Sequence, residues 1–194
     1  MITLVTSNPH KAAEFKKILV GTEIQTATLE IPEIQSFDLQ EIVREKVVHA
    51  QRVLGGAVMV EDVALDLEVL GGFPGTFVKF WEKNSRHDLA AGLVQKMGKD
   101  RVTARSGFGY ADGNRFLYAE GKMDGRFVTR RGTVGFGFDF YFVPDGETQT
   151  LAELGPDRKM ELSHRRHGLD AMRELLIKEG IISQKAKKVI ELHQ

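Results

Sequence analysis

A short apolar run, Val58-Met59-Val60, delivers two adjacent carboxylates, Glu61 and Asp62. The Gly/Pro stretch Leu70-Gly71-Gly72-Phe73-Pro74-Gly75 follows, with Lys79 beyond it. The run is rich in β-branched residues and reads as a buried strand. Glu61 and Asp62 then fall at its end, where open α/β sheets place their ligand crevices. Side chains alternate along a strand, so the two acids are expected to point to opposite sides, one facing a cleft and the other solvated. Two acids at the end of a strand are equally consistent with ordinary surface charges. The rest of the chain tips the balance.

A chain of 194 residues suits one domain, 1–194, with two lobes, and can bury a real core. Its 27 basic and 27 acidic side chains cancel, so no global field points to nucleic acid or an anionic membrane. A phosphate-rich ligand therefore needs a local cluster of cations. Cysteine is absent, which excludes disulfides and thiolate metal sites. The first residues lack a basic region with a long apolar core, and no apolar run approaches the roughly 20 residues of a membrane span. A soluble cytoplasmic protein is expected.

Ile2 to Thr6 is a strand candidate leading into Ser7-Asn8-Pro9-His10-Lys11. Asn8 suits an N-cap and Pro9 the first helical position, so a helix is expected from Pro9 to about Leu19, burying Ala12, Phe15, Ile18 and Leu19. Free backbone N–H groups at such a helix start can hold phosphate. Lys11, in the first turn, sits where the helix dipole disfavours a cation unless an anion is near.

Glu23 to Leu29 reads as a second strand, followed by Ile31-Pro32-Glu33-Ile34-Gln35. Asp38 with Glu41 resembles a capping box opening a helix to about Leu54. At about 100° per residue, Leu39, Ile42, Val43, Val47, Ala50, Val53 and Leu54 share one face. Lys46 falls inside that stripe and must snorkel or meet an anion; an anion is favoured. Glu41 faces the other way, which leaves Glu33 as the better inward carboxylate.

Further on, Ala64 to Leu70 reads as a short strand, Gly71 to Gly75 as loop, and Thr76 to Trp81 as renewed order. Ser85 is expected to cap a helix through Met97, closed by Gly98. Arg101 to Ala111 and Phe116 to Phe127 read as strands of a hairpin turning at Asp112-Gly113-Asn114. A strand is expected from Phe140 to Val143. Ser163 should cap a last long helix, about His164 to Glu179, and residues past Ser183 read as a short extra helix or a tail. His164, Arg165 and Arg166 at the positive end of that helix, with Lys159 upstream, carry the wrong sign for an idle helix start.

Taken in order, Thr6 to Lys11, Pro32 to Gln35, Val60-Glu61-Asp62, Gly71 to Gly75 with Lys79, Phe136-Gly137-Phe138-Asp139, and Lys159 through Ser163-His164-Arg165 form a specific set. From Thr6 to about Leu176 the chain resembles the noncanonical purine nucleoside triphosphate pyrophosphatases, also called inosine triphosphate pyrophosphatases. The resemblance implies an α/β fold with a long mixed, twisted β-sheet, flanking helices and two lobes around a central cleft, usually in a homodimer. It implies hydrolysis of ITP, dITP or XTP to monophosphate and pyrophosphate with Mg²⁺. By the same likeness Thr6, Ser7, Asn8 and Lys11 grip phosphates. Asp62 has metal and general-base roles, Glu33 is a further metal ligand, and Lys46 and Lys79 contact substrate. Phe136, Gly137, Phe138, Asp139, Lys159, His164 and Arg165 correspond to the base pocket and its surround.

Those roles make chemical sense. Attack at the α-phosphorus needs an activated water, a neutralised triphosphate and a stabilised leaving group. Mg²⁺ keeps several waters, so one or two carboxylates plus phosphates suffice. Two departures bear on rate and preference: Val63 stands where the family commonly has Ser or Thr, and Met160 where it commonly has Asn. No P-loop, H-E-x-x-H or G-x-S-x-G motif occurs. His164 and His167 are one helical turn apart without an evident third metal ligand. The rivals are a related house-cleaning pyrophosphatase for other modified nucleotides and a nucleotide-binding sensor without turnover.

Overall fold

The computed structural model describes residues 1–19, 21–83 and 86–183. The cap expected at Ser85 and the segment past Ser183 lie outside the described residues. The elements, in order, are β1 (Ile2–Val5), α1 (Pro9–Ile18), β2 (Ile24–Ala27), α2 (Leu39–Leu54), β3 (Val58–Leu67), β4 (Pro74–Gly75) and α3 (Val78–Lys83). They continue with α4 (His87–Met97), β5 (Arg101–Ala111), β6 (Phe116–Phe127), β7 (Phe142–Pro144), α5 (Leu151–Leu162) and α6 (His164–Lys178). The strands form a seven-stranded mixed sheet in the order β2-β1-β3-β5-β6-β7, with β4 paired to β3. The fold expected from the resemblance, α/β with a long mixed sheet and flanking helices, is the one observed. Contacts divide the chain into two compact units, Met1–Asp62 with Gly107–Gly121 and Gly168–Gln194, and Val63–Ser106 with Lys122–His167.

In the first unit β1 runs parallel to both β2 and β3, with Ile2 opposite Ile24 and Thr3 opposite Val58. Its core joins Leu4, Phe15, Met59, Phe108 and Met172, with the Phe15 and Phe108 rings 5.6 Å apart. Asn8 caps α1 through Oδ1, which accepts from Lys11 N–H at 3.4 Å, and its own N–H donates to Thr6 Oγ1 at 3.1 Å. Helix α2 buries Leu39, Ile42, Val43, Val47 and Ala50 as its period requires. The stripe ends there: Val53 is 56% exposed and Leu54 41%, because the helix continues a turn past its last buried residue. Gly107 and Gly109 of β5 let α2 approach closely; a Cβ at Gly109 would stand 2.7 Å from Val43 Cγ1. Half of the expected capping box forms, with Asp38 Oδ1 accepting from the Glu41 N–H at 3.4 Å. Asp38 Oδ1 accepts from Gln40 N–H, but the Asp38 N–H goes to Ser36 Oγ, whose hydroxyl in turn donates to Glu41.

The second unit is built on Leu65, Leu67, Trp81, Val94, Phe127 and Phe142. The strand expected to stop at Asp62 instead continues to Leu67, merging with the one read from Ala64. Its charges are tolerated in mid-strand because each meets a cation; Asp66, for example, takes Arg105 Nε at 2.7 Å. Glu68–Leu70 is a single 3₁₀ turn rather than strand. Pro74 and Gly75, expected as loop, pair antiparallel with Asp66 and Leu65. Strand β7 starts two residues later than expected, because Gly137–Phe140 forms a 3₁₀ turn. Helix α5 was not foreseen: Gly155 (φ 77°) and Pro156 break its helical pattern. Thr150 opens it, its N–H and hydroxyl both donating to Glu153 Oε2 at 2.7 and 3.0 Å.

Candidate active site

In the first unit three cation–anion contacts join residues far apart in sequence. Lys11, on the first turn of α1, places Nζ 3.1 Å from Glu61 Oε2 of β3. Lys46, projecting from the apolar face of α2, lies 2.9 Å from Asp62 Oδ2 and 3.0 Å from Glu33 Oε1. Both lysines thus find the anions their awkward positions called for. Glu61 and Asp62 meet different lysines, as alternation along β3 requires. Neither is merely solvated: the Glu61 side chain is 2% exposed and that of Asp62 24%.

Burial alone would pull the Lys46 ammonium down. The charges and hydrogen bonds of Asp62 and Glu33 outweigh that and raise its pKa above the ordinary 10.5. Lys46 therefore stays an ammonium at neutral pH.

Also in the first unit, a hollow of about 400 Å³ is lined by Thr6, Ser7, Asn8, Ala12, Lys16 and Thr28, among others. Sequence reasoning missed Lys16 as a lining residue. The spacing Asn8, Ala12, Lys16 repeats every fourth position and puts all three on one helix face, a signal that could have found it.

In the second unit the buried Asp139 organises the loop that carries Phe136. Its Oδ2 accepts from the Phe136 N–H at 3.0 Å and from Lys159 Nζ at 2.5 Å. The Lys159 ammonium also lies 4.1 Å from the Phe136 ring centroid, a cation–π arrangement. Phe136 is 54% exposed whereas Phe138 is 8% exposed and packs between Phe142 and His164. The two phenylalanines, equivalent in sequence, are thus an available ring and a core ring.

His164 and Arg165 are buried at the start of α6, which Ser163 caps by accepting from Arg166 N–H at 3.1 Å. Lys79 lies on the exposed side of α3. His167 Nδ1 meets the Lys122 carbonyl at 2.9 Å.

Among the described residues no group of three His, Cys, Asp or Glu side chains is arranged to hold a metal. Asp62 and Glu33 are the two carboxylates that could hold Mg²⁺. Both are hard oxygen donors of the kind Mg²⁺ takes, and both lie within hydrogen-bonding distance of the Lys46 ammonium. Substrate phosphates and water would complete the coordination.

A model of the Ham1 family matches residues 2–175. An inosine triphosphate pyrophosphatase of Aspergillus oryzae is 36% identical over 176 residues, covering 89% of this chain and 92% of the relative. A dITP/XTP pyrophosphatase of Methanopyrus kandleri is 34% identical, covering 89% and 94%. The solved structure of the Staphylococcus aureus Ham1 protein superposes with a TM-score of 0.80 at 22% identity, covering 92% of this chain and 98% of that one.

Proposed function

The chain belongs to the Ham1 family, and from that premise we propose that it hydrolyses noncanonical purine nucleoside triphosphates such as ITP, dITP and XTP. The products are the nucleoside monophosphate and pyrophosphate. The observation that carries the reading is Lys46 held between Asp62 and Glu33 in a protein with no net charge. An ammonium and two acids drawn together from a helix, a strand and a loop are the parts a polyphosphate reaction needs.

Water attacks the α-phosphorus and the bond to the bridging oxygen breaks, releasing pyrophosphate. Asp62 takes the proton of the attacking water. Thr6, Ser7 and Asn8 hold phosphate oxygens, while Lys11, Lys46 and Lys79 offset their charge. Magnesium, when bound by Glu33 and Asp62 together with phosphate oxygens, supplies further neutralisation of the leaving group. The base is assigned to the second unit: Phe136 offers a stacking face, Gly137 and Phe138 shape the loop, and Asp139 with Lys159 fix it. Arg165, His164 and backbone N–H groups donate to the 6-keto oxygen that distinguishes hypoxanthine and xanthine from adenine. The protein works in the cytoplasm as a homodimer that cleanses the nucleotide pool. Among the described residues no helix is long and apolar enough to cross a membrane.

Incubation with ITP, XTP, dITP, ATP, GTP and CTP plus Mg²⁺, with product identification, tests this. Monophosphate and pyrophosphate from ITP or XTP are expected; orthophosphate release, or binding without turnover, would overturn it.

A further inference from the structure

One carboxylate beside the Phe136 loop has no place in the scheme above. Glu82, near the end of α3, reaches Gly137 so closely that a Cβ there would overlap its carboxylate. Gly137 has φ 56°, a left-handed conformation that glycine adopts without strain. Glycine at this position therefore serves both the turn and the close approach of the acid.

Behind the carboxylate, Trp81 Nε1 donates to His87 Nδ1 at 3.1 Å, which leaves the His87 proton on Nε2. That nitrogen is 3.8 Å from Glu82 Oε1, too long for a hydrogen bond. The Glu82 side chain keeps 35% exposure. It is an acceptor held against Gly137, the residue that follows Phe136 in the chain, with hydrogen-bonding capacity to spare among the described residues.

We propose that Glu82 is a specificity-determining residue whose carboxylate accepts the N1–H of a 6-keto purine stacked on Phe136. Hypoxanthine and xanthine carry a proton on N1. Adenine carries a lone pair there, which a carboxylate repels. The inference rests on the base roles proposed for the Phe136–Asp139 loop, and it adds a reading of the ring edge to the reading of the 6-keto oxygen.

The test is kcat/KM for ITP, ATP and N1-methylinosine triphosphate with the wild type, Glu82→Gln and Glu82→Ala. Wild type should prefer ITP to the N1-methyl compound. Glu82→Ala should lose that preference and lower the ITP-to-ATP ratio about 10-fold, the order expected for one charge-assisted hydrogen bond. Glu82→Gln keeps the shape and can donate to adenine N1, so its ATP turnover should rise, which a purely structural role would not produce. An ITP-to-ATP ratio within about twofold of wild type in a folded Glu82→Gln protein would overturn the proposal. Absence of ITP turnover in the wild type would instead reject the activity itself.

Discussion

The ammonium of Lys46 stands 2.9 Å from Asp62 Oδ2, joining the apolar face of a helix to the middle of a strand. The buried residues of that helix are all apolar. The contact explains why a lysine tolerates that position, and it places a fixed positive charge beside the acid assigned to water activation.

Replacing that acid by its amide should separate chemistry from fold. Asp62→Asn keeps shape and some hydrogen bonding to Lys46 but cannot accept a proton. A loss in kcat for ITP on the order of 10²–10⁴-fold is expected, with a circular dichroism spectrum unchanged from wild type. A kcat near that of wild type would remove Asp62 from the catalytic role.

Lys46→Met should destabilise as well as inactivate, because it leaves Asp62 and Glu33 facing each other without their cation. A cost of about 2 kcal/mol is expected, read as a lower urea midpoint. The pH dependence follows from the raised pKa of Lys46. A raised folded-state value means the stabilisation is fully present below the ordinary 10.5 and fades as pH climbs through the folded value. The stability gap between wild type and Lys46→Met should therefore be constant from neutral to mildly alkaline pH and narrow only beyond 10.5. A gap that closed near neutrality would show that the ion pair is not its source.

Gly109→Ala tests the approach of α2 to β5. The new Cβ would meet Val43 Cγ1 at 2.7 Å and Val47 Cγ1 at 3.2 Å. Overpacking of this kind costs about 1–3 kcal/mol, so Tm should fall by several degrees. An unchanged Tm would mean that the helix can shift without loss.

Arg165→Ala should lower the ITP-to-ATP ratio of kcat/KM by about 10-fold or more, since the donor proposed for the 6-keto oxygen is lost. Arg165 is 6% exposed, so thermal melting must accompany the kinetics. An unchanged ratio in a folded variant would count against its place in base recognition.

Local chemistry made much of the fold legible. Asn8 before Pro9, the 3.6-residue stripe from Leu39 to Ala50 and the uninterrupted strands at Arg101–Ala111 and Phe116–Phe127 are each dictated by neighbours in the chain. What failed ran against the local signals. Pro74-Gly75 became a strand because Leu65 and Asp66 lie alongside. Val53 and Leu54 stayed exposed because the buried part of α2 ends at Ala50. Helix α5 was hidden by Gly155 and Pro156, whose helix-breaking character a local reading takes at face value.

The sequence by itself determined which charges were out of place: a lysine in an apolar stripe, a lysine at a positive helix end, two acids on a strand. Desolvation makes such placements costly, so each announced that a partner must exist. Only the tertiary structure decided which partner: Lys11 with Glu61, Lys46 with Asp62 and Glu33, Lys159 with Asp139. It also chose between two phenylalanines two residues apart, exposing Phe136 and burying Phe138. Pairing and burial depend on which segments the fold brings side by side, and no local pattern in the chain encodes that.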